Sequence, residues 1–341
     1  MNIPPPDLHG CRAAEVRSLL RQRLRQGYRP GSSADGARLG VLVEGGGMRG
    51  LISAAALQAL DCLGCADCFD EIYGTSAGAL NGAYFLAGQI AMGASIYYVN
   101  LTGRHFIDFS RWPEVMDIHY LFDRWVSHGK QLDTARVVRS MTRLFITVTD
   151  TRTAQTIYFD AHDFDAGELV PMLRASAATP LFTSHREKIR GRYYNDGAVT
   201  AGLPLPKALE RGCTHLLCLL TRPRGYRKRR QWWAAPYQWL RLRRYPTAYR
   251  QAFRERIVAY NRALDLLQSG TGTTATLIIA PAPDDFFIRN AETDPTRLHR
   301  AAAESFRRVV KVMEPDDDTL RFAPWPEAEA VASTAAERFF R

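Results

Sequence analysis

The sequence lacks a run of apolar residues long enough to cross a membrane. A transmembrane helix needs about 20 predominantly apolar residues, whereas runs such as the one at 216–220 have the length of a buried strand. The first seven residues, MNIPPPD, also lack the basic and then apolar regions of a secretory signal peptide. We therefore expect a cytoplasmic protein that could contact a membrane only peripherally.

Lysine and cysteine are both scarce. Only five of the 45 basic residues are lysines, so the net charge of +10 reflects 40 arginines. Six cysteines among 341 residues are typical of thiols in a reducing compartment. Three of them form Cys62-x-x-Cys65-x-x-Cys68, which could hold zinc or an iron–sulfur cluster, but such sites need a fourth ligand. With no further Cys or His pair nearby, we interpret this motif as a turn at a helix end and expect neither a metal nor a cofactor.

The composition is that of a globular protein. Hydrophobic residues make up 46% of the chain and charged residues 23%, which excludes disorder, collagen and coiled coil as the main structure. A length of 341 residues allows two domains or one large domain.

Two strand–turn–helix units follow one another after residue 38. The first unit consists of the apolar run 39–43, a glycine turn and the Ala/Leu-rich stretch 51–60. The second consists of a strand at 69–73, a turn at 74–78 and a helix at 79–89. Such units predict a parallel sheet covered on both faces. We therefore predict an α/β fold with three layers (α/β/α), a mainly parallel central sheet, and helical extensions at both ends of the chain.

The pattern divides the chain into four segments. These are an N-terminal helical extension (1–37), an α/β core (38–222), a basic and aromatic excursion with a returning strand (223–280) and a C-terminal helical tail (281–341), with tail helices near 296–313 and 326–340. The aromatic-rich stretch 90–130 is either a cap over a site or ordinary core.

The first glycine turn fits a dinucleotide-binding fingerprint. Gly45, Gly47 and Gly50 have the G-x-G-x-x-G spacing and lie between a strand and a helix. However, the acidic residue that should bind a ribose belongs at the end of the second strand, whereas Asp70 and Glu71 begin it. A dinucleotide enzyme is therefore the less favoured interpretation.

The second glycine turn has the form of a nucleophile elbow. Gly74-Thr-Ser76-Ala-Gly78 joins an apolar strand to an Ala-rich helix, as a G-x-S-x-G elbow requires. The helix directs its free N–H groups and positive dipole end at whatever Ser76 attacks. A glycine turn at 45–47 on a neighbouring strand can then supply backbone N–H groups as an oxyanion hole.

A base for Ser76 is harder to assign. His215 lies in an apolar run and His299 among charged helix residues, so neither has a convincing loop context. Asp196, between Asn195 and Gly197, could take the proton if desolvation raises its pKa. The residues alone leave open whether this is a base or only a turn.

Four motifs in this order resemble those of the bacterial branch of the patatin-like phospholipase family. They are EGGGMRG at 44–50, GTSAG at 74–78, ASAATPLF at 175–182 and DGA at 196–198. The resemblance covers about residues 38–222 and implies a Ser–Asp dyad, with Ser76 as nucleophile and Asp196 as base. Two departures are Glu44, where many relatives have Asp, and Ala198, where many have Gly.

The resemblance also assigns the remaining motif residues. It implies oxyanion-hole donors at Gly45, Gly46 and Gly47. It implies supporting roles for Arg49, which would hold the glycine loop or meet a lipid phosphate, and for Gly50, Gly74, Gly78 and Gly197. The implied activity is hydrolysis of fatty-acyl esters of lipids or phospholipids, of phospholipase A or lysophospholipase type, by two-step acyl transfer. A protein that binds lipid or nucleic acid without catalysis is the alternative.

The positive charge is confined to one segment. Residues 222–256 contain twelve basic residues and one acidic residue, whereas the rest of the chain has 33 basic and 34 acidic residues. Aromatic residues interleave with this charge, which suits an anionic lipid surface. The expected membrane contacts are Arg227, Lys228, Arg229, Arg230, Trp232, Trp233 and Trp239. Alternatively, the aromatics pack onto the core and the arginines face water; a nucleic-acid partner is not favoured.

Overall fold

A computed structural model describes residues 8–32, 35–270 and 272–313. Its centre is an eight-stranded sheet. The strands are β1 (Leu39–Val43), β2 (Glu71–Thr75), β3 (Arg143–Asp150), β4 (Thr156–Asp160), β5 (Glu187–Ile189), β6 (Arg192–Asp196), β7 (His215–Leu219) and β8 (Ala275–Ile279).

The middle of the sheet is parallel and one side is antiparallel. β8, β7, β1, β2 and β3 are consecutive parallel neighbours, and β3 then pairs antiparallel with both β4 and β6. β5 pairs antiparallel with β6. The strand predicted to return after the basic excursion, β8, therefore belongs to the same sheet as the core strands.

Helices cover both faces of the sheet, so the predicted three-layer α/β/α arrangement is confirmed. Alternation along each strand divides the core: Val41 and Val43 belong to one apolar cluster and Leu42 to the other. The helices are α1 (Ala13–Gln26), α2 (Leu51–Cys62), α3 (Ala77–Leu86), α4 (Ile90–Ser95), α5 (Thr134–Val138), α6 (Ala166–Ala177), α7 (Leu205–Glu210), α8 (Ala235–Leu242), α9 (Thr247–Ser269) and α10 (Pro295–Met313).

The helical segments predicted at the two ends have different outcomes. α1 covers the stretch predicted to be helical in the N-terminal extension, and α10 matches the first predicted tail helix. The second predicted tail helix, near 326–340, lies outside the described residues. Within the described part of the chain, no helix combines the length and the apolar character needed to span a bilayer.

The cysteine motif lies where α2 ends. Cys62 is the last residue of the helix and is exposed, whereas Cys65 and Cys68 are buried in the turn that leads to β2. Among residues 8–32, 35–270 and 272–313, no three His, Cys, Asp or Glu side chains are grouped so as to hold a metal ion.

A buried arginine attaches α1 to the sheet. Arg23 is fully buried and forms ion pairs with Asp35 (2.7 Å) and Asp70 (2.9 Å), the residue before β2. It also donates hydrogen bonds to the carbonyl oxygens of Ala37 and Cys68. Because a charge removed from water is stable only while it is paired, these contacts fix α1 in addition to its buried apolar side chains Val16, Leu19 and Leu20.

We expect Arg23→Leu to destabilise the fold by about 3–5 kcal/mol, because the substitution leaves buried carboxylates without their partner. Urea denaturation followed by circular dichroism measures the free energy of unfolding. Arg25→Leu on the same helix is the matched control, since Arg25 is exposed. Equal stabilities of the two variants would contradict a structural role for the Arg23 cluster.

Candidate functional site

Ser76 and Asp196 meet because β2 and β6 occupy the same edge of β3. β3 pairs with β2 up to Thr147, opposite Thr75, and with β6 from Val148, opposite Asp196. β4 pairs along the same part of β3 and therefore takes the other edge. β6 thus begins to pair where β2 stops, and residues 120 positions apart in sequence become neighbours at the carboxyl end of the parallel strands.

The predicted elbow is present at Ser76. Its φ of 58° and ψ of −131° lie in a region that non-glycine residues rarely adopt, and α3 begins at the next residue. A Cβ at Gly74 would lie 2.4 Å from Ala79 Cα, and a Cβ at Gly78 would lie 2.2 Å from the carbonyl oxygen of Val43. Only glycine at these two positions permits the close approach of strand, turn and helix.

Ser176 supports this strained turn. The backbone N–H of Ser76 donates to Ser176 Oγ at 2.8 Å, and that hydroxyl donates to the Thr147 carbonyl oxygen at 2.8 Å. The next residues of the same motif, Ala177 and Thr179, line the cavity in front of Ser76. The motif at 175–182 therefore both supports the elbow and lines the cavity.

Asp196 is held in a desolvated position. Its side chain is 5% exposed, and Oδ1 accepts a hydrogen bond from the Ala198 backbone at 2.8 Å. Burial raises the pKa of Asp196 to about 7, while the Ala198 amide, the Ser76 side chain and the charge of Lys228 act in the opposite direction. The carboxyl therefore changes its charge near neutral pH, as a general base requires.

The neighbour of Asp196 is held by Tyr249 of α9 and by Tyr245, which precedes that helix. Asn195 is fully buried, its Oδ1 accepts from the Tyr249 hydroxyl at 2.8 Å, and its Nδ2 donates to the Tyr245 hydroxyl at 3.3 Å. The two tyrosine rings stack with their centroids 4.2 Å apart. The basic segment thus helps to position the candidate dyad, a role that the sequence pattern does not reveal.

The first glycine turn lies against the elbow. A Cβ at Gly45 would lie 2.3 Å from the Thr75 carbonyl oxygen, and one at Gly50 would lie 2.5 Å from Ala77 Cβ. Gly46 and Gly47 have φ values of 145° and 58°, and both line the cavity with Ser76. The backbone of this turn can therefore approach an oxyanion formed at Ser76 with no side chain between them.

Glu44 and Arg49 lie at the two ends of this glycine turn. The Glu44 carboxylate accepts hydrogen bonds from the Thr221 backbone and the Tyr260 hydroxyl, each at 2.7 Å. Thr221 Oγ1 in turn donates to the Gly45 carbonyl oxygen at 2.8 Å. Arg49 is 6% exposed, and burial, followed by repulsion from other cations, lowers its pKa to about 10.

Two cavities meet at Ser76. The larger, about 290 Å³, contains Asp196, the glycine turn and many polar side chains. The smaller, about 30 Å³, is almost wholly apolar, and its walls come from α3 and from the stretch 90–130, including Ile96, Phe106 and Leu121. The aromatic-rich stretch thus lies over the site and also contributes to the core.

The predicted membrane residues are distributed over two environments. Trp232, Trp233 and Trp239 are 81%, 66% and 61% exposed, so they do not pack onto the core. Arg229 and Arg230 are exposed at the mouth of the larger cavity. Two members of the predicted set face elsewhere: Arg227 forms an ion pair with Asp265, and Lys228 points inward with its ammonium 3.8 Å from the ring centroid of Tyr260.

Neither of the histidines weighed as bases lines a cavity at Ser76. His215 begins β7 and is therefore at the opposite end of the sheet from the elbow. His299 lies on α10 with its ring against Tyr98. No histidine lines either cavity among the described residues.

We expect Asp196→Asn to stabilise the protein above pH 7. The pKa of this carboxyl rises on folding from 3.8 to about 7. Its ionisation therefore lowers the free energy of unfolding progressively between these two pH values, and by about 4 kcal/mol above pH 7. Asparagine retains the acceptor for Ala198 without the charge. Urea denaturation at pH 5 and pH 8 tests this, with exposed Asp284→Asn as control. No gain in stability at pH 8 would contradict the desolvation of Asp196.

A family model and a curated relative each match part of this chain. The family model described as patatin-like phospholipase matches residues 41–209. An uncharacterized protein, YjjU of Escherichia coli (strain K12), is 28% identical over 217 residues, which cover 60% of this chain and 57% of YjjU. The chain therefore spans less than two thirds of the length of that curated relative.

A solved structure is also similar. The crystal structure of VipD from Legionella pneumophila aligns with a TM-score of 0.40 and 10% identity over 82% of this chain and 67% of VipD. The assignment depends on the family model, whose matched range contains the glycine turn, the elbow, the 175–182 motif and Asp196. Through residues 41–209, this chain belongs to the patatin-like phospholipase family.

Proposed function

We propose that the protein hydrolyses fatty-acyl esters of lipids, with Ser76 as nucleophile and Asp196 as general base. The observation that carries this proposal is the meeting of the two side chains at one edge of β3, inside a cavity that the glycine turn also lines. Membership of the family supports a lipid ester as the substrate.

The first step is acylation of Ser76. The Ser76 oxygen attacks the ester carbonyl carbon while Asp196 accepts the hydroxyl proton, and the carbonyl oxygen becomes an oxyanion. Backbone N–H groups of Gly45, Gly46 and Gly47, together with the N-terminus of α3, stabilise that charge. The proton on Asp196 then passes to the departing alcohol oxygen, and an acyl ester remains on Ser76.

The second step regenerates the enzyme. Asp196 accepts a proton from water as the water oxygen attacks the acyl carbon. The bond to the Ser76 oxygen then breaks, the proton on Asp196 passes to that oxygen, and the fatty acid leaves. The apolar cavity suits the acyl chain, and the polar cavity suits the alcohol portion and the incoming water. At about 30 Å³ the apolar cavity is narrow, so a long acyl chain requires its walls to move apart.

The exposed tryptophans support action at a membrane surface. α8 is attached to the protein by Arg241, whose Nε donates to the Pro180 carbonyl oxygen at 3.0 Å, and by the Tyr237 hydroxyl, which donates to Leu181. Its outer side presents Trp239, and Trp232 and Trp233 precede it. Indole rings beside cationic groups match the interface of an anionic bilayer, and Arg229 and Arg230 bring that interface to the cavity mouth.

Ser76→Ala and Asp196→Asn should each reduce fatty-acid release from lipid or p-nitrophenyl esters, the latter by about 10²–10⁴-fold, as expected for loss of a general base. In the wild type, kcat/KM should rise with pH through about 7, because only the ionised form of Asp196 accepts a proton. Titration of released acid measures both effects, and a fluorophosphonate should label Ser76 alone. If Asp196→Asn retained activity while His299→Ala lost it, the dyad assignment would be wrong.

Flotation with anionic vesicles tests the membrane contact. Arg229→Gln combined with Arg230→Gln should weaken binding by about 1 kcal/mol for each charge removed, and 0.5 M salt should weaken wild-type binding. Trp232→Ala with Trp233→Ala should also reduce flotation, because apolar area is lost from the interface. Met141→Ala is the control: Met141 is 68% exposed and precedes β3, at the other end of the sheet from the cavity. Equal flotation of all variants would exclude this surface.

A further inference from the structure

The cavity in front of the dyad contains more positive charge than acyl transfer requires. Its acidic lining groups are Glu44 and Asp196, and Glu44 is already hydrogen-bonded to Thr221 and Tyr260. The cationic side chains that line it are Arg49, Arg222, Lys228, Arg229, Arg230 and Arg256. With every group ionised, positive charges exceed negative charges by four.

Four of these cations form what we call the cationic pocket: Arg49, Arg222, Lys228 and Arg256. Unlike Arg229 and Arg230, none of the four is fully exposed. Within the described part of the chain, none forms an ion pair with a carboxylate, in contrast to Arg211 and Arg227 nearby in sequence. No carboxylate of the described residues therefore lies within ion-pair distance of this group, although Glu44 acts on Arg49 and Lys228 from farther away.

The pocket is held rigidly in this arrangement. The backbone of Lys228 exchanges two hydrogen bonds with the side chain of Asn261, at 2.8 and 2.9 Å, and its ammonium lies over the Tyr260 ring. The guanidinium of Arg222 lies 4.4 Å from the ring centroid of Tyr226, and its Nε is buried with no hydrogen-bond partner among the described residues. A buried donor without an acceptor is a position that a ligand oxygen can fill.

The four cations are close enough to repel one another. Burial, and then repulsion by Arg256, Arg222 and Arg49, lowers the pKa of Lys228 to about 8. Burial lowers the pKa of Arg256 to about 10 as well. Like charges brought together out of water are unfavourable, and a bound anion would relieve both the repulsion and the missing hydrogen bonds.

We propose that the cationic pocket binds the phosphate of an acyl-ester substrate, so that the enzyme selects acylglycerol phosphates without a cationic head group. This inference rests on the proposed function. Both cavities meet at Ser76, so a substrate with its acyl chain in the apolar cavity has its alcohol side in the cationic pocket. Guanidinium and ammonium groups form charge-assisted hydrogen bonds to phosphate oxygens. A choline head group would add a fifth excess positive charge and is disfavoured.

Three substrates with one acyl chain test this selection: 1-oleoylglycerol 3-phosphate, its choline ester and uncharged 1-oleoylglycerol. For the wild type, kcat/KM should be at least about tenfold higher for the first than for the other two. Lys228→Gln and Arg222→Gln should each remove about tenfold of that preference, measured as the ratio of kcat/KM for 1-oleoylglycerol 3-phosphate to kcat/KM for 1-oleoylglycerol with the same variant. The control is Arg262→Gln, because Arg262 is exposed on α9 and does not line the cavity.

Calorimetry with the Ser76→Ala protein separates the two proposals. This variant should bind 1-oleoylglycerol 3-phosphate, and adding Lys228→Gln should weaken binding about tenfold. If the wild type hydrolyses none of the three esters but this binding pattern is observed, the proposed hydrolase activity is wrong and phosphate binding by the cationic pocket is supported. Equal kcat/KM for the three esters would overturn the inference. If inorganic phosphate bound but 1-oleoylglycerol 3-phosphate were not preferred over the other two esters, the ligand of the pocket would be free phosphate and not the substrate phosphate, which would also overturn it.

Discussion

The pairing of β3 with two strands along one edge is the constraint on which the site depends. β2 pairs up to Thr147 and β6 takes over at Val148, so the chain at Ser76 and the chain at Asp196 meet with no strand between them. Because side chains on a strand have a period of two residues, a slip of one residue in either pairing would turn one of the two groups to the opposite face of the sheet. The glycines and Ser176 then bring the backbone close around this meeting point.

The surroundings of this meeting point set its electrostatics. Burial raises the pKa of Asp196, and the charge of Lys228 opposes that shift. The same cavity holds cations that lack carboxylate partners in the described residues and an arginine nitrogen without an acceptor. A protein that needed only stability would pair or expose such groups, whereas a site that binds an anion beside an ester benefits from leaving them free.

The basic segment has three separate physical roles rather than one. Tyr245 and Tyr249 hold Asn195 beside the candidate dyad, the inward cations line the cavity, and the tryptophans remain in solvent. The charge count of 222–256 predicts a cationic surface but not this division. Which side of α8 and α9 packs inward depends on contacts with residues near 180, 195 and 228, far away in sequence.

The sequence by itself determined the α/β layering and both glycine turns, because these follow from local rules. Alternating strand–turn–helix patterns, with glycines at the turns, need no distant partner. It also identified Ser76 and Asp196 as candidates, while leaving open whether Asp196 was more than a turn. Only the tertiary structure decided that Ser176 braces the elbow and that Lys228 faces the cavity. Those contacts join segments that are distant in the chain, and their energies depend on burial and charge that no local pattern records.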